Sequence, residues 1–325
     1  MGKYKIKYLP TFFGAFTILL MLLLISSYQV KACTGFAVYG KRVLYGFNFD
    51  YPESEIRFTI TDNNGFKFFQ AGYHENDNLN YFCGMNAGGV FASLQMLYPQ
   101  VTTWPQPGVG EIDLFQAYSL VLPNAINLKT TLEYIETFGI KIIHINGTTL
   151  HSLYADKLGN AYILEVGDGD NLITEIENEF LIMTNFPVHE FYGKPLNEIE
   201  GVGADRYKIA YEYIQENKSD FDFDNGIEIL KRTVQKNSNF PTQVSFLFDP
   251  ITAEVYIILK NDFSKIWKLS INEETVVSYS GFSEPITFSI PEIGITIADL
   301  LNATSISENE ILIPSRIKLF QNFPN

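Results

Sequence analysis

Five apolar segments follow one another between residues 34 and 97: "TGFAVYG", "RVLYGFNFD", "IRFTITD", "FKFFQAG" and "GVFASLQML". They are short, rich in aromatic and β-branched residues, and separated by turn signals such as Gly40-Lys41 and Asn63-Asn64-Gly65, so they read as consecutive strands. Apolar spacing of three and four residues then predicts helices over 112–122 and 128–138. A second strand group follows in "IKIIHIN", "LHSLYAD", "AYILEVG" and "FLIMTNF". Two further helices are predicted over 205–216 and 225–235, the latter with Asp224 as N-cap. "QVSFLFD" and "AEVYIILK" form a hairpin turning at Asp249-Pro250. Strands, helices, strands, helices, strands is an α+β order, with helices on the outer faces of stacked antiparallel sheets. After about Leu269 the text breaks into short fragments without a clear period.

The first 32 residues read as a secretory leader. Lys3, Lys5 and Lys7 precede an apolar run from Phe12 to Ser26, and Val30-Lys31-Ala32 has the character of a cleavage site. Cutting there makes Cys33 the mature N-terminus and leaves the chain secreted, periplasmic or at the cell surface. The apolar run is short for a membrane span, which needs roughly 20 residues, so no stable membrane association is expected once the leader is removed. Lipidation of Cys33 is the rival reading, and Lys31 speaks against it because a lipobox holds a small uncharged residue there.

The formal charge is -14, and loss of the four leader lysines makes it more negative. Such a surface repels nucleic acid and anionic membranes. A hydrophobic content of 46%, with 15% aromatic residues, is ample for a large packed core. The two cysteines, Cys33 and Cys83, show no metal-ligand spacing with one another or with the four scattered histidines, so no metal is expected. Cys83, in "NYFCGMN", reads as a buried thiol on a strand.

A two-residue turn at Gly40-Lys41 pairs Tyr39 with Arg42 and places Cys33 opposite Asn48, with Asp50 one pleat further on the same face. A free terminal cysteine carries its own base: an α-amine with a pKa near 7.7–8.0 can take the proton of a thiol near 8.5. Asp50 could hold that amine. For an arbitrary Cys and Asp a buried thiol and a turn residue are the commoner outcome; the coincidence with the leader boundary reverses that choice.

Several segments, in order, resemble the choloylglycine hydrolase family of N-terminal-nucleophile amidases, which includes bile salt hydrolases and penicillin V acylases. "CTGFAVYG" with "LYGFNFDYP" is similar to the family's terminal strand and Gly-Arg-Asn-x-Asp segment, and "GMNAGGVFASLQ" to its Gly-Met-Asn-x-x-Gly stretch. "TTLHSLYADKLGNAYILE" resembles its Thr-Leu-His strand and hairpin, "MTNFP" its Thr-Asn-Ser-Pro loop, and "GADRY" the segment with its late arginine. The resemblance covers about residues 33–270 and implies a four-layer αββα sandwich. It divides the chain into a leader (1–32), a hydrolase domain (33–272) and a C-terminal extension (273–325). In the extension, "IKLFQNFPN" resembles the opening of type IX secretion sorting tails, cut off before completion.

Carried over position by position, Cys33 would be nucleophile and base, Asp50 would orient its amine, Asn185 would donate to the oxyanion, and Arg206 would stabilise charge around the nucleophile. Gln95 falls near a second oxyanion or substrate-contact position, one residue out of step. His151 is expected to be a hydrogen-bonded core histidine. The family usually has arginine where this chain has Phe47, and a phenyl ring replaces neither its charge nor its hydrogen bonds. The implied function is hydrolysis of a linear, non-peptide amide of a small N-acylated molecule through a Cys33 acyl-enzyme, in a homo-oligomer and with no cofactor. Acyl transfer from the same intermediate, or a silent ligand-binding protein, are the alternatives.

Overall fold

Pairing of the predicted strands gives two facing antiparallel sheets in the computed structural model, which describes residues 32–308 apart from 77, 102–105, 145–146 and 237. The strands are β1 (Thr34–Tyr39), β2 (Val43–Asp50), β3 (Ile56–Asn63), β4 (Phe66–Glu75), β5 (Asn78–Asn86), β6 (Phe91–Met96), β7 (Glu111–Asp113), β8 (Lys141–Ile143) and β9 (Leu150–Ala155). They continue with β10 (Ala161–Val166), β11 (Asn171–Glu175), β12 (Phe180–Met183), β13 (Thr242–Asp249), β14 (Glu254–Leu259), β15 (Ile266–Ser270), β16 (Thr275–Ser280), β17 (Thr287–Ser289) and β18 (Ile295–Thr296). The helices are α1 (Leu114–Val121), α2 (Leu128–Thr137), the single turn α3 (Val188–Phe191), α4 (Ala204–Asn217), α5 (Phe223–Arg232) and α6 (Ile297–Glu308).

Among the described residues one sheet runs β12-β1-β2-β13-β14-β15-β16-β17 and the other β11-β10-β9-β6-β5-β4-β3-β18. Aromatic side chains fill the space between them: Phe49 stacks on Phe82 with ring centroids 3.7 Å apart, and Phe246 packs edge-on against Phe58 at 5.7 Å. Full burial of each such ring contributes about 1.5–3 kcal/mol. Helices α4 and α5 lie on the outer face of the first sheet, where Ala210, Ile214, Ile229 and Leu230 are fully buried. Helices α1 and α2 cover the outer face of the second, with Leu114, Tyr118 and Leu122 against Ala92 and Leu94. The α+β expectation, a four-layer αββα sandwich, is what forms.

Three local expectations change. Helix α5 begins earlier than 225, and its N-cap is Asp222 rather than Asp224: Asp222 accepts from the backbone N–H of Asp224 and Asn225, and Asn225 returns a bond to the cap. The segment after residue 272 supplies β16 and β17 to one sheet and β18 to the other. Its apolar residues cover two sheet edges, which is why no regular period marks them. The third change is the register of the first hairpin. Tyr39 pairs with Val43 and Thr34 with Asn48, so the loop is Gly40-Lys41-Arg42 and not a two-residue turn. Tertiary contacts hold Arg42 out of the ladder: its N–H donates to Phe221 O at 3.0 Å and its guanidinium pairs with Asp249.

Candidate active site

A one-residue change of register exchanges the faces of a strand. Thr34, Asn48 and Asp50 therefore point toward the helices, while Cys33 joins Phe47 and Phe49 on the face between the sheets. Asn48 Nδ2 donates to Leu230 O and Thr233 Oγ1 at the end of α5, which confirms its outward direction. The expected convergence of Cys33, Asn48 and Asp50 on one face does not occur; the residues meet around the Cys33 main chain instead.

That main chain is held from several sides. The Cys33 N–H donates to Asn185 Oδ1 at 2.8 Å. Arg206 Nη1 donates to Cys33 O and, at 2.6 Å, to Thr34 Oγ1, while Nη2 donates to Asn185 Oδ1 at 2.8 Å. The Gln95 amide, oriented to suit its neighbours, donates to Cys33 O at 3.2 Å and Thr184 O at 3.0 Å and accepts from Gly35 N at 3.0 Å. Asn185 Nδ2 donates to Met96 O at 2.7 Å, so in this form, with Ala32 still joined to Cys33, its amide hydrogens are directed there.

Arg206 lies in the first turn of α4, where the helix dipole disfavours a cation. Its acceptors offset this, together with the Asp50 carboxylate 3.8 Å away. The turn before it needs Gly203: φ is +81°, and a Cβ would come within 2.5 Å of Arg206 Nη2. Sequence nominated Arg206, but the local structure admits its guanidinium only because that glycine clears its path.

Asp50 is fully buried. Its Oδ1 accepts from Thr242 Oγ1 at 2.5 Å and its Oδ2 from Gln235 Nε2 at 2.9 Å. Burial pushes its carboxyl up to about 7, against the opposing pull of Arg206, Thr242 and Gln235. Gln235 Nε2 also donates to Ala32 O at 3.2 Å, linking the carboxylate to the peptide bond before Cys33. Gln235 and Thr242 were not singled out from sequence. Thr242 faces Asp50 across the β13–β2 pairing, which no local pattern specifies.

The Cys33 thiol lies in the aromatic layer. Cys33 and Cys83 belong to the same buried cluster, with Tyr73 packed against it, and burial pushes the Tyr73 hydroxyl and the Cys83 thiol up. Phe47 is fully buried, stacked on Phe82 at 5.9 Å, and Arg42 is engaged with Asp249 at the far end of the hairpin. Arg206, by contrast, is a cation that reaches Cys33. His151 is a buried core histidine with both ring nitrogens engaged, as expected of it.

A cavity of about 410 Å³ lies elsewhere, between α1, α2 and the outer face of the second sheet, lined by residues such as Leu120, Tyr134, Tyr154 and Tyr162. It gathers no nucleophile or charged side chain and contains none of the residues above. Among the described residues no cluster of His, Cys, Asp or Glu is arranged to hold a metal, and no helix is long and apolar enough to cross a membrane. Residues 1–31 of the proposed leader and the whole of the proposed sorting tail lie outside the described residues.

Two facing eight-stranded antiparallel sheets lie between helix layers, with Cys33 at the entrance to an inner strand of the first sheet. No protein-family profile and no curated protein sequence matches the chain. Solved structures do. A variant of conjugated bile acid hydrolase from Clostridium perfringens matches with a TM-score of 0.57 and 16% identity over 81% of this chain and 98% of that one. A second mutant of the same hydrolase gives 0.56 and 16%, over 80% and 97%. Penicillin V acylase from Agrobacterium tumefaciens gives 0.58 and 14%, over 76% and 91%. These neighbours are choloylglycine-family hydrolases, and this chain shares their fold.

Proposed function

We propose that this protein is a secreted cysteine amidase that hydrolyses a linear, non-peptide amide of a small N-acylated molecule through a Cys33 acyl-enzyme. The observation that carries the reading is the set of Asn185, Arg206 and Asp50 gathered about the main chain of Cys33, in a fold shared with amide hydrolases. Removal of the leader before Cys33 converts its amide nitrogen to an amine that retains Asn185 Oδ1 as partner.

In this mechanism the amine takes the thiol proton as sulfur attacks the amide carbon. The resulting oxyanion is stabilised by donors, a role to which Asn185 Nδ2 is suited once it leaves Met96 O. The ammonium returns the proton to the leaving nitrogen, the C–N bond breaks, and a thioester remains. Water, deprotonated by the same amine, then releases the carboxylic acid and regenerates the thiol. Asp50, whose Oδ2 accepts from Gln235 Nε2, is assigned to orient the amine once the leader is gone.

Phe47, Phe49, Phe82 and Tyr73 surround the thiol side of the strand, which favours an uncharged, apolar acyl group. The test combines intact mass and N-terminal sequencing of the exported protein with a panel of N-acyl amides graded in acyl polarity. A start at Cys33, turnover that rises with acyl apolarity, and none in Cys33→Ser are expected; retention of Ala32 in the exported protein would overturn the mechanism.

A further inference from the structure

One buried pair beside the site is not used by that mechanism. His151, on β9, and Glu165, on β10, are 0% and 2% exposed. His151 Nε2 lies 2.6 Å from Thr184 O, and Nδ1 lies 3.1 Å from Glu165 Oε1. A carbonyl oxygen only accepts, so Nε2 carries hydrogen. Glu165 Oε1 also accepts from Val188 N at 2.9 Å and Oε2 from His189 N at 2.7 Å, so both carboxylate oxygens face donors. The two backbone donors and the direction of its shift make Glu165 an ionised carboxylate, which only accepts, so Nδ1 is assigned as the donor and the ring, with hydrogen on both nitrogens, as a cation. Although burial pushes the Glu165 carboxyl up, the His151 contact and the two backbone N–H groups outweigh it and hold the group below its ordinary range, consistent with an ionised partner. His144 is the neighbouring titratable group: burial, then the charge of His151, push it down.

The pair grips one short stretch of chain at both ends. Thr184 O is bound by the imidazole, and the backbone nitrogens of Val188 and His189 by the carboxylate. Between them lies Asn185, whose Oδ1 meets Cys33 N and whose own backbone O accepts from Tyr98 N at 2.8 Å. The hydrogen bonds of His151 and Glu165 run to each other and to the 184–189 stretch.

We infer that His151 and Glu165 form a buried imidazolium–carboxylate clamp that positions the 184–189 loop, and through it Asn185, at the nitrogen of Cys33. The inference deepens the amidase reading and rests on it for its catalytic consequence, while the charge state and the link to Cys33 stand apart from any substrate. A positioning error of an ångström at such a site costs up to about a hundredfold in rate, whereas a residue needed only for folding changes the amount of active protein and not its turnover.

Three measurements on the mature protein test this. The first is the ¹⁵N spectrum of the His151 ring at pH 7.5, where a solvent-exposed histidine, with a pKa near 6.5, is neutral. Two protonated ring nitrogens are expected; one unprotonated nitrogen would overturn the clamp. The second is kcat, normalised to alkylatable Cys33 thiol, for Glu165→Gln and His151→Gln. Glu165→Gln is expected to lose about tenfold or more in kcat with KM nearly unchanged, and His151→Gln, which keeps a donor toward Thr184 O, to lose less. Wild-type kcat per thiol in folded Glu165→Gln would refute the positioning role. The third is the pH profile of Cys33 alkylation by iodoacetamide, which needs no substrate. Its midpoint should move by about half a unit or more in Glu165→Gln, and an unmoved midpoint counts against the clamp. If the wild type hydrolyses no amide, the functional reading fails while the ring spectrum and the alkylation profile still decide the clamp. If neither variant folds, the wild-type spectrum decides it.

Discussion

The main-chain nitrogen of Cys33 donates to Oδ1 of Asn185 at 2.8 Å, joining residues 152 positions apart in the sequence. That oxygen also receives Arg206 Nη2 at the same distance, so the group proposed as base and the group proposed to stabilise negative charge share one acceptor. Replacement of Asn185 should disturb both. Asn185→Ala is expected to lower kcat by about a hundredfold or more, the range seen when one oxyanion donor is removed. Steady-state kinetics per titrated thiol, with an N-acyl amide substrate, measures it; a loss confined to KM would remove Asn185 from the chemical step.

Arg206 is buried and serves Cys33 O, Thr34 Oγ1, Asn185 Oδ1 and the Asp50 carboxylate. Arg206→Ala leaves the buried carboxyl without its cation and should destabilise the protein by about 3–5 kcal/mol. Arg206→Lys should recover only part of this, because an ammonium cannot present the guanidinium fork to several oxygens at once. Urea unfolding of the three proteins provides the comparison, and equal stability of the lysine and wild-type forms would contradict the account.

The Asp50 carboxyl titrates near 7 in the folded chain that retains Ala32, against about 3.9 when unfolded. Below about pH 4 both states are protonated and burial of the group costs nothing electrostatic. As pH rises from 4 to 7 the unfolded state releases its proton first, so the folded state binds more protons and stability falls. The full penalty, at most about 4 kcal/mol for three units, is present above pH 7. In a chain expressed with Ala32 retained, Asp50→Asn should lack this pH-dependent loss. Denaturant unfolding of both proteins from pH 4 to 8 tests it, and parallel stability curves would be the contrary result.

Phe47 is fully buried against Phe82 in the layer that receives the Cys33 side chain. Phe47→Ala should cost about 3–5 kcal/mol through cavity formation. Phe47→Arg should be worse and should not raise activity, since the ring is stacked on Phe82 and pairs across the sheet with Phe246 in the buried aromatic layer, where a charge is costly. Thermal unfolding and amidase assays report the two effects; a stable, faster Phe47→Arg enzyme would show that a cation is accommodated there.

By itself the sequence determined the parts. Aromatic and β-branched runs between turn signals specified β1 to β4 and β6, three- and four-residue spacing specified α1 and α2, and the order of the predicted elements specified a layered α+β fold, because each such signal is written in neighbouring residues. Ordered resemblance nominated Cys33, Asp50, Gln95, Asn185 and Arg206, and the other four gather about the Cys33 main chain, Asp50 through Arg206. Only the tertiary structure decided how they meet. Arg42, held by Phe221 and Asp249, lengthens the first loop by one residue and so turns the Cys33 side chain toward the aromatic layer and Asp50 toward the helices. Gln235 and Thr242 reach Asp50 because β13 pairs with β2 across some 190 residues. The physical reason is common to both: the side-chain period of a strand is local, but register and partner are selected by contacts between distant segments, and a shift of a single residue reverses the face.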